Sequence, residues 1–327
     1  MWRTETMPPF RIARSVKLFW AGVAAAALIG AVVLQVIGPP DHDTAMLTGP
    51  VLHRSGSAIP PPNPALLVAS KANPAWKIPH PAPDGMTPMR YYAAAAPVPV
   101  PQGLHPVAVM MGGIGEARQA SRDAIRSLPP AVSLALTPYG PHLRSVVAAA
   151  RAAGHETLMG IPMQTDREPA ITEGDEALRG SELDPVNLKH LDWALSRSAG
   201  YVGVTDEIGM SVDETYLTQL LNRHWLGKQL RPTGLLLVTA SQGSGVPSGV
   251  PGRVADVVIH PEMSVDEQRA ALKRLAATAV ASGSALGVIS SPTADDIAVL
   301  AQWCQGLKAD GLVLVPVSAL VAARGAQ

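Results

Sequence analysis

The chain of 327 residues contains a single cysteine, Cys304, and therefore forms no internal disulfide and no cysteine-based zinc cluster. Its 26 basic residues balance its 26 acidic residues, so net charge gives no reason to expect a nucleic acid as partner. Only two phenylalanines and five tyrosines are present, and any core must be built mainly from aliphatic side chains. The sequence shows no repeat of fixed period, which argues against a repeat architecture.

An apolar run near the N-terminus extends from Leu18 to Ile37, and Gln35 is its one strongly polar residue. About 20 helical residues, at roughly 1.5 Å rise each, match a bilayer core about 30 Å thick. Basic residues precede the run and acidic residues follow it. The positive-inside rule then predicts a cytoplasmic segment 1–17, a transmembrane anchor 18–37 in the inner membrane, and a periplasmic remainder.

Two alternatives to the anchor remain at this level. A cleaved signal peptide would have a shorter apolar stretch that ends in small residues, and "LQVIGPP" matches this poorly. A buried core helix is the other alternative.

Residues 38–105 hold about half of the chain's 31 prolines. Proline has a fixed φ and no backbone N–H, so this segment is excluded from a sheet interior and is predicted to be a linker, mobile from Gly38 to about Pro74. The large side chains of Trp76, Tyr91 and Tyr92 are unusual for a linker and indicate that part of it contacts the next domain.

Residues 106–327 alternate short apolar runs with amphipathic helical patterns, several of which end in glycine. This alternation predicts a parallel sheet covered by helices. About eight strands favour a distorted or incomplete (β/α) barrel, with a doubly wound open sheet as the alternative. The predicted strands are Val107–Met111, Val132–Leu136, Glu156–Ile161, Tyr201–Thr205, Gly234–Thr239, Asp256–Ile259, Ala285–Ile289 and Leu312–Val315.

In both architectures the functional site lies at the carboxyl ends of the strands. The polar candidates for catalysis there are Glu207, Asp206, His260 and Gln164. Because Asp206 and Glu207 are adjacent at a strand end, their side chains are expected to point to opposite sides. The serines at 290 and 291 are not enclosed in a G-x-S-x-G turn. The turn "MGGIGEA" lacks the glycine spacing of a nucleotide-binding loop, so no cofactor is expected.

Several segments resemble the divergent polysaccharide deacetylase family, a branch of the NodB-like carbohydrate esterases. They are "VAVMMGGIG", "VSLALTPYGPHLRSVVAAARAAGHETLMGIPMQ", "NLKHLDWALSRSAGYVGVTDEIGM" and "DGLVLVPVSAL". The resemblance covers about Trp76 to Leu320. It implies a distorted barrel, a link to carbohydrate, and a divalent cation that activates water, held by an Asp pair and later histidines.

The chain departs from this family pattern at the implied ligand positions. Gly112 and Gly113 stand where the Asp pair would be, and Glu207 and Ser291 stand where histidines would be. Gly160 and Gln164 replace a polar pair, and Thr239 stands where an Asp is common. No metal is therefore expected. The groove is predicted to be widened by its glycines and to be lined by Gly112, Gly113, Gly160, Glu207, Thr239, Ser290 and Ser291.

Three functions remain open on this basis. The first is a membrane-anchored periplasmic protein that binds envelope glycan and has lost metal-dependent deacetylation. The second is an active carbohydrate hydrolase with a rearranged site. The third is a structural docking protein of the envelope that uses the barrel as a contact surface.

Overall fold

A computed structural model describes residues 58–96, 100–182, 184–209, 215–241 and 243–325. The predicted cytoplasmic segment 1–17 and the anchor 18–37 lie outside the described residues. Within the described ranges, no helix is both long enough and apolar enough to cross a membrane.

Among the described residues, nine strands form one parallel sheet, and the longest of them is His105–Ile114. In chain order the strands are β3 (His105–Ile114), β4 (Ser133–Leu136), β5 (Thr157–Gly160), β6 (Gly203–Thr205), β7 (Leu236–Thr239), β8 (Gly252–Val254), β9 (Val257–Ile259), β10 (Ala285–Ile289) and β11 (Leu312–Leu314). Their order in the sheet is β8-β7-β6-β5-β4-β3-β10-β9, and β11 pairs with the first residues of β3.

Helices connect most of these strands. They are α2 (Arg118–Ser127), α3 (Leu143–Ala152), α4 (Asp184–Ser196), α5 (Leu220–Leu230), α6 (Val265–Ser282), α7 (Ala294–Gly306) and α8 (Val317–Gly325). At two of these helices the local sequence supplies residues that cap the N-terminus. Ser264 with Glu267 and Thr293 with Asp296 form capping boxes at the starts of α6 and α7, where each side chain satisfies a backbone N–H that has no helical partner.

The sheet curls, because its two end strands are neighbours in the chain. Only Ala255 and Asp256 separate β8, which pairs with β7, from β9, which pairs with β10. The N–H of Ala255 donates to the carbonyl of Thr239, and the N–H of Asp256 donates to the carbonyl of Leu286. These contacts confirm the α/β class and the barrel-like form, in place of a doubly wound open sheet.

All eight predicted strands are present. The strand β8 was missed because "GRV" lies in a segment rich in glycine, proline and serine, and it has no apolar run to mark it. It is a strand because β7 pairs with it through the register Leu237 with Gly252 to Thr239 with Val254. Tertiary pairing here overrides weak local propensity.

The side chains of β3 show how the core is divided into two layers. Val107, Val109 and Met111 belong to an outer cluster packed under the helices, whereas Ala108 and Met110 belong to an inner cluster enclosed by the curled sheet. All five are fully buried. A strand that is apolar on both faces is what a parallel sheet covered on both sides requires.

The expected linker 38–105 needs correction over its described part. Residues 58–96 belong with the barrel in one compact unit, Leu52–Gln327. They form an antiparallel hairpin of β1 (Leu67–Ala69) and β2 (Lys77–Pro79), and a short helix α1 (Pro88–Tyr91). Leu66 and Tyr92 are buried in the inner cluster.

Side chains and backbone groups attach this N-terminal segment to the helices outside the sheet. The Ser70 hydroxyl donates to the buried carboxylate of Asp192 in α4. The N–H of Ile59 donates to the carbonyl of Arg151 in α3. The prolines are compatible with regular structure in this segment because Pro64 and Pro88 occupy the first positions of helical turns, where no backbone N–H is needed.

A buried carboxylate also connects the two ends of the domain. Glu156, just before β5, is almost fully buried and accepts from the Ser133 hydroxyl of β4 at 2.8 Å. It accepts as well from the backbone N–H and the hydroxyl of Ser318 in α8, and from the N–H of Ala94. The N-terminal segment, the sheet and the C-terminal helix therefore share one set of hydrogen bonds.

Candidate functional site at the carboxyl ends of the strands

Asp206 follows β6 directly and is fully buried. Its carboxylate accepts from the Thr239 hydroxyl at the end of β7, from the N–H of Ala240 at 2.7 Å, and from the N–H and hydroxyl of Ser241. Burial raises the pKa of Asp206, and these four donors act against that rise. Both carboxylate oxygens are thus used to hold the loop after β7 against β6.

Glu207 turns away from Asp206 and reaches the opposite part of the sheet. One carboxylate oxygen accepts a hydrogen bond of 2.7 Å from the hydroxyl of Ser290, a residue that follows β10. The other accepts from the N–H of Gly209 at 2.7 Å. Glu207 is only 5% exposed, and desolvation by burial raises the pKa of its carboxyl to about 8, well above the ordinary value for a glutamate.

Gly112, in β3, lies directly under the side chain of Glu207. A Cβ at position 112 would stand 2.7 Å from the Cγ of Glu207 and 2.8 Å from the carbonyl oxygen of Ser290. Real Cβ atoms do not approach other atoms so closely, so glycine at 112 and glutamate at 207 are sterically coupled. The expectation of a groove widened at Gly112 is therefore wrong, since Glu207 fills the space.

The other two glycines predicted to widen the groove are also closely packed. A Cβ at Gly160 would meet Ile208 at 2.6 Å and the carbonyl oxygen of Leu136 at 2.8 Å. Gly113 has φ of +66°, where a side chain is strained, and a Cβ there would meet Pro292 at 3.0 Å. These glycines serve close approach of chain segments at the end of the barrel.

The remaining predicted residues are spread around this end. Thr239 and Ser290 are buried and bind the two carboxylates, as described above. Ser291 is half-buried. His260 follows β9, and within the described residues its buried Nδ1 has no hydrogen-bond partner. Of the described residues, neither Ser291 nor His260 hydrogen-bonds to Asp206 or Glu207.

Gln164 belongs to a separate feature, beyond the end of β5. Its side-chain carbonyl accepts from the N–H of Gly180 at 3.0 Å, and its backbone bonds with Leu178 and Thr215. It lines a cavity of about 520 Å³ together with Asn222, in the first turn of α5. Sequence reasoning missed Asn222, because an amide in an amphipathic helix carries no signal of its own, and it missed Ser241 as the partner of Asp206.

The residues at the carboxyl ends do not fit a divalent cation. Within the part of the chain that the structure describes, no three His, Cys, Asp or Glu residues are grouped so that they could hold a metal ion. Gly112 and Gly113 offer no ligand atoms in their side chains, and all four carboxylate oxygens of Asp206 and Glu207 already bind protein groups. A metal needs three or four converging ligands, which these residues do not supply.

Comparison with known proteins places this geometry in a family. A family model described as divergent polysaccharide deacetylase matches residues 109–321, so the chain belongs to that family. A crystal structure of an uncharacterized protein from Agrobacterium tumefaciens is similar at a TM-score of 0.68 and 28% sequence identity, covering 75% of this chain and 99% of that one. No curated protein matches.

Proposed function

We propose that this protein is a glycan-binding member of the divergent polysaccharide deacetylase family that no longer performs metal-dependent deacetylation. The observation that carries the proposal is the packing of Glu207 onto Gly112. In place of a set of ligands around a cation, the end of the barrel holds a carboxyl that is buried and bonded to Ser290 and Gly209. Family membership supports the link to carbohydrate.

The proposal includes an inner-membrane anchor at residues 18–37 and a periplasmic domain that binds envelope glycan. Its support is the apolar run Leu18 to Ile37 with basic residues before it. The prolines that follow, up to residue 57, would then be a short spacer between the bilayer and the domain.

The test uses the full chain purified in detergent, with no added metal. Elemental analysis is expected to find no stoichiometric zinc, nickel or cobalt, and incubation with N-acetylated chito-oligosaccharides is expected to release no acetate. Titration calorimetry with the same oligosaccharides is expected to show binding. One metal ion per chain, lost in Glu207→Ala, together with release of acetate, would overturn the proposal.

A metal-independent hydrolase is the second candidate, and one observation favours it. A glutamic acid with a pKa of about 8 lies in the range useful for general acid–base catalysis near neutral pH. Its burial and its two hydrogen bonds to protein argue against access by a substrate. Acetate or sugar release by the wild type that disappears in Glu207→Gln, without any metal, would establish this alternative.

A further inference from the structure

The described lining of the cavity beside α5 includes neither Asp206 nor Glu207. Its volume of about 520 Å³ is within the range of pockets that hold small ligands, roughly 300–1,000 Å³. It is assembled from the loops after β5 and from residues 215–222 at the start of α5. We infer that this α5 pocket binds one uncharged sugar unit of a glycan, which deepens the function proposed above and rests on it.

The lining of the α5 pocket is largely polar, and among the described residues it includes no charged side chain. Its polar members are Gln164, Ser181, Thr215, Gln219 and Asn222. Amides and hydroxyls both donate and accept hydrogen bonds, which suits the hydroxyl and acetamido groups of a neutral sugar. A phosphate, a carboxylate or an amine would find no opposite charge among these described lining residues to compensate for its lost hydration.

Gln164 is held in place in the α5 pocket, and part of its side chain has no hydrogen-bond partner among the described residues. The backbone of Gln164 is held by the carbonyl of Leu178 and the N–H of Thr215, and its side-chain oxygen is held by Gly180. Its amide nitrogen has no hydrogen-bond partner among the described residues, and the same holds for the Asn222 side chain. The Gln164 amide is held through its oxygen, and its nitrogen is free of the described residues, so it is preorganised for a ligand, which lowers the entropic cost of binding.

Two leucines supply an apolar contact at the same place. Leu220 and Leu221 line the pocket and are 71% and 82% exposed. An exposed leucine is ordinary by itself, but two adjacent ones at the rim of a polar pocket create an amphipathic site. A pyranose ring has a matching form, with a C–H face that covers the leucines and a hydroxyl edge that meets the amides.

The test measures glycan affinity of the full chain in detergent by titration calorimetry with N-acetylated chito-oligosaccharides and with cello-oligosaccharides. Gln164→Met retains the length of the side chain and removes the amide, and Asn222→Leu removes the other amide. Each is expected to weaken binding at least tenfold, which corresponds to about 1.4 kcal/mol. Fully deacetylated chito-oligosaccharides, which are cationic, are expected to bind more weakly than either neutral probe.

Two further variants separate pocket effects from general ones. Gly180→Ala places a Cβ 3.0 Å from the amide nitrogen of Asn222, so it narrows the pocket without removing a polar group, and it is expected to weaken binding. Gln302→Met changes an exposed glutamine of α7, outside the pocket, and is expected to leave affinity unchanged. Thermal melts verify that each variant is folded.

The outcomes distinguish the pocket from the broader function. Unchanged affinity in Gln164→Met, Asn222→Leu and Gly180→Ala would show that glycan binds elsewhere, so the pocket assignment would fail while the proposed function stands. If the folded wild type bound none of the saccharides, the proposed function would fail and the pocket assignment with it.

Discussion

Glu207 occupies the space above Gly112: its Cγ would stand 2.7 Å from any Cβ at position 112. The two residues come from β3 and from the end of β6, which are not neighbours in the sheet. Their contact therefore spans the end of the barrel and connects strands that share no backbone hydrogen bonds. It also explains why a glycine and a long acidic side chain occur together at positions where the family pattern implies metal ligands.

The coupling predicts that Gly112→Ala destabilises the protein. The new methyl would press on the Glu207 side chain and on the Ser290 carbonyl, and overpacking of this kind costs about 1–3 kcal/mol of unfolding free energy. Urea denaturation measures the loss. Gly306→Ala is the matched control, because no atom lies within 4 Å of a Cβ there and stability should be unchanged or slightly higher. Equal stabilities of the two variants would contradict the packing described here.

The raised pKa of Glu207 also leads us to predict that the stability of the protein depends on pH. Its pKa rises from 4.5 in the reference state to about 8 in the folded state, so the folded protein binds the proton more tightly. This contribution is fully present below pH 4.5 and is lost as pH rises through 8, amounting to at most about 5 kcal/mol.

The variant Glu207→Gln isolates this effect. The amide can donate to Ser290 and accept from Gly209 at every pH, so the shape and both hydrogen bonds are retained. Melting temperatures measured from pH 4 to pH 9 should agree for the two proteins at the acid end. The wild type should fall progressively below the variant toward pH 9. Parallel curves across the whole range would show that folding does not raise the pKa of Glu207.

Because Glu156 accepts hydrogen bonds from the N-terminal segment as well as from the barrel, we predict that this segment contributes to the stability of the domain. Glu156→Ala leaves the groups of Ser133, Ser318 and Ala94 without their acceptor, and it should cost about 3 kcal/mol or more of unfolding free energy. The exposed Glu116 gives the control, since Glu116→Ala is expected to change stability by less than about 0.5 kcal/mol. Limited proteolysis should cleave first within residues 58–96 in Glu156→Ala. If residues 58–96 resisted cleavage in the destabilised variant, the Glu156 hydrogen bonds would not be what holds this segment on the domain.

The membrane anchor is predicted from the run Leu18 to Ile37. Full-length protein should fractionate with the inner membrane, and protease added to spheroplasts should digest the domain. Leu28→Arg places a charge near the centre of the run, which disfavours insertion by about 3 kcal/mol, and it should reduce the membrane-bound fraction. A soluble mature form that begins near Gly38 would instead establish the cleaved signal peptide.

The barrel strands and the parallel class follow from the sequence, because buried parallel strands are short, apolar and separated by helices with clear glycine ends. The pattern from Val107 to Met111 is such a strand, and so is that from Ala285 to Ile289. The opposite directions of Asp206 and Glu207 were also predictable, since adjacent residues at a strand end alternate sides.

The contacts of those carboxylates were decided by the tertiary structure alone. Which atoms Glu207 meets depends on how far the sheet curls, and no local pattern encodes the distance from the end of β6 to Gly112. The packing of residues 58–96 was predicted only in part: Tyr92 indicated a contact with the domain and is buried there, whereas the hairpin and its attachment were not predicted. Proline content reports only which backbone hydrogen bonds are impossible, whereas docking depends on the buried Leu66 and Tyr92 meeting the inner core. The α5 pocket likewise exists only because segments around Gln164, Gly180 and Asn222, distant in the chain, are brought to one place by the fold.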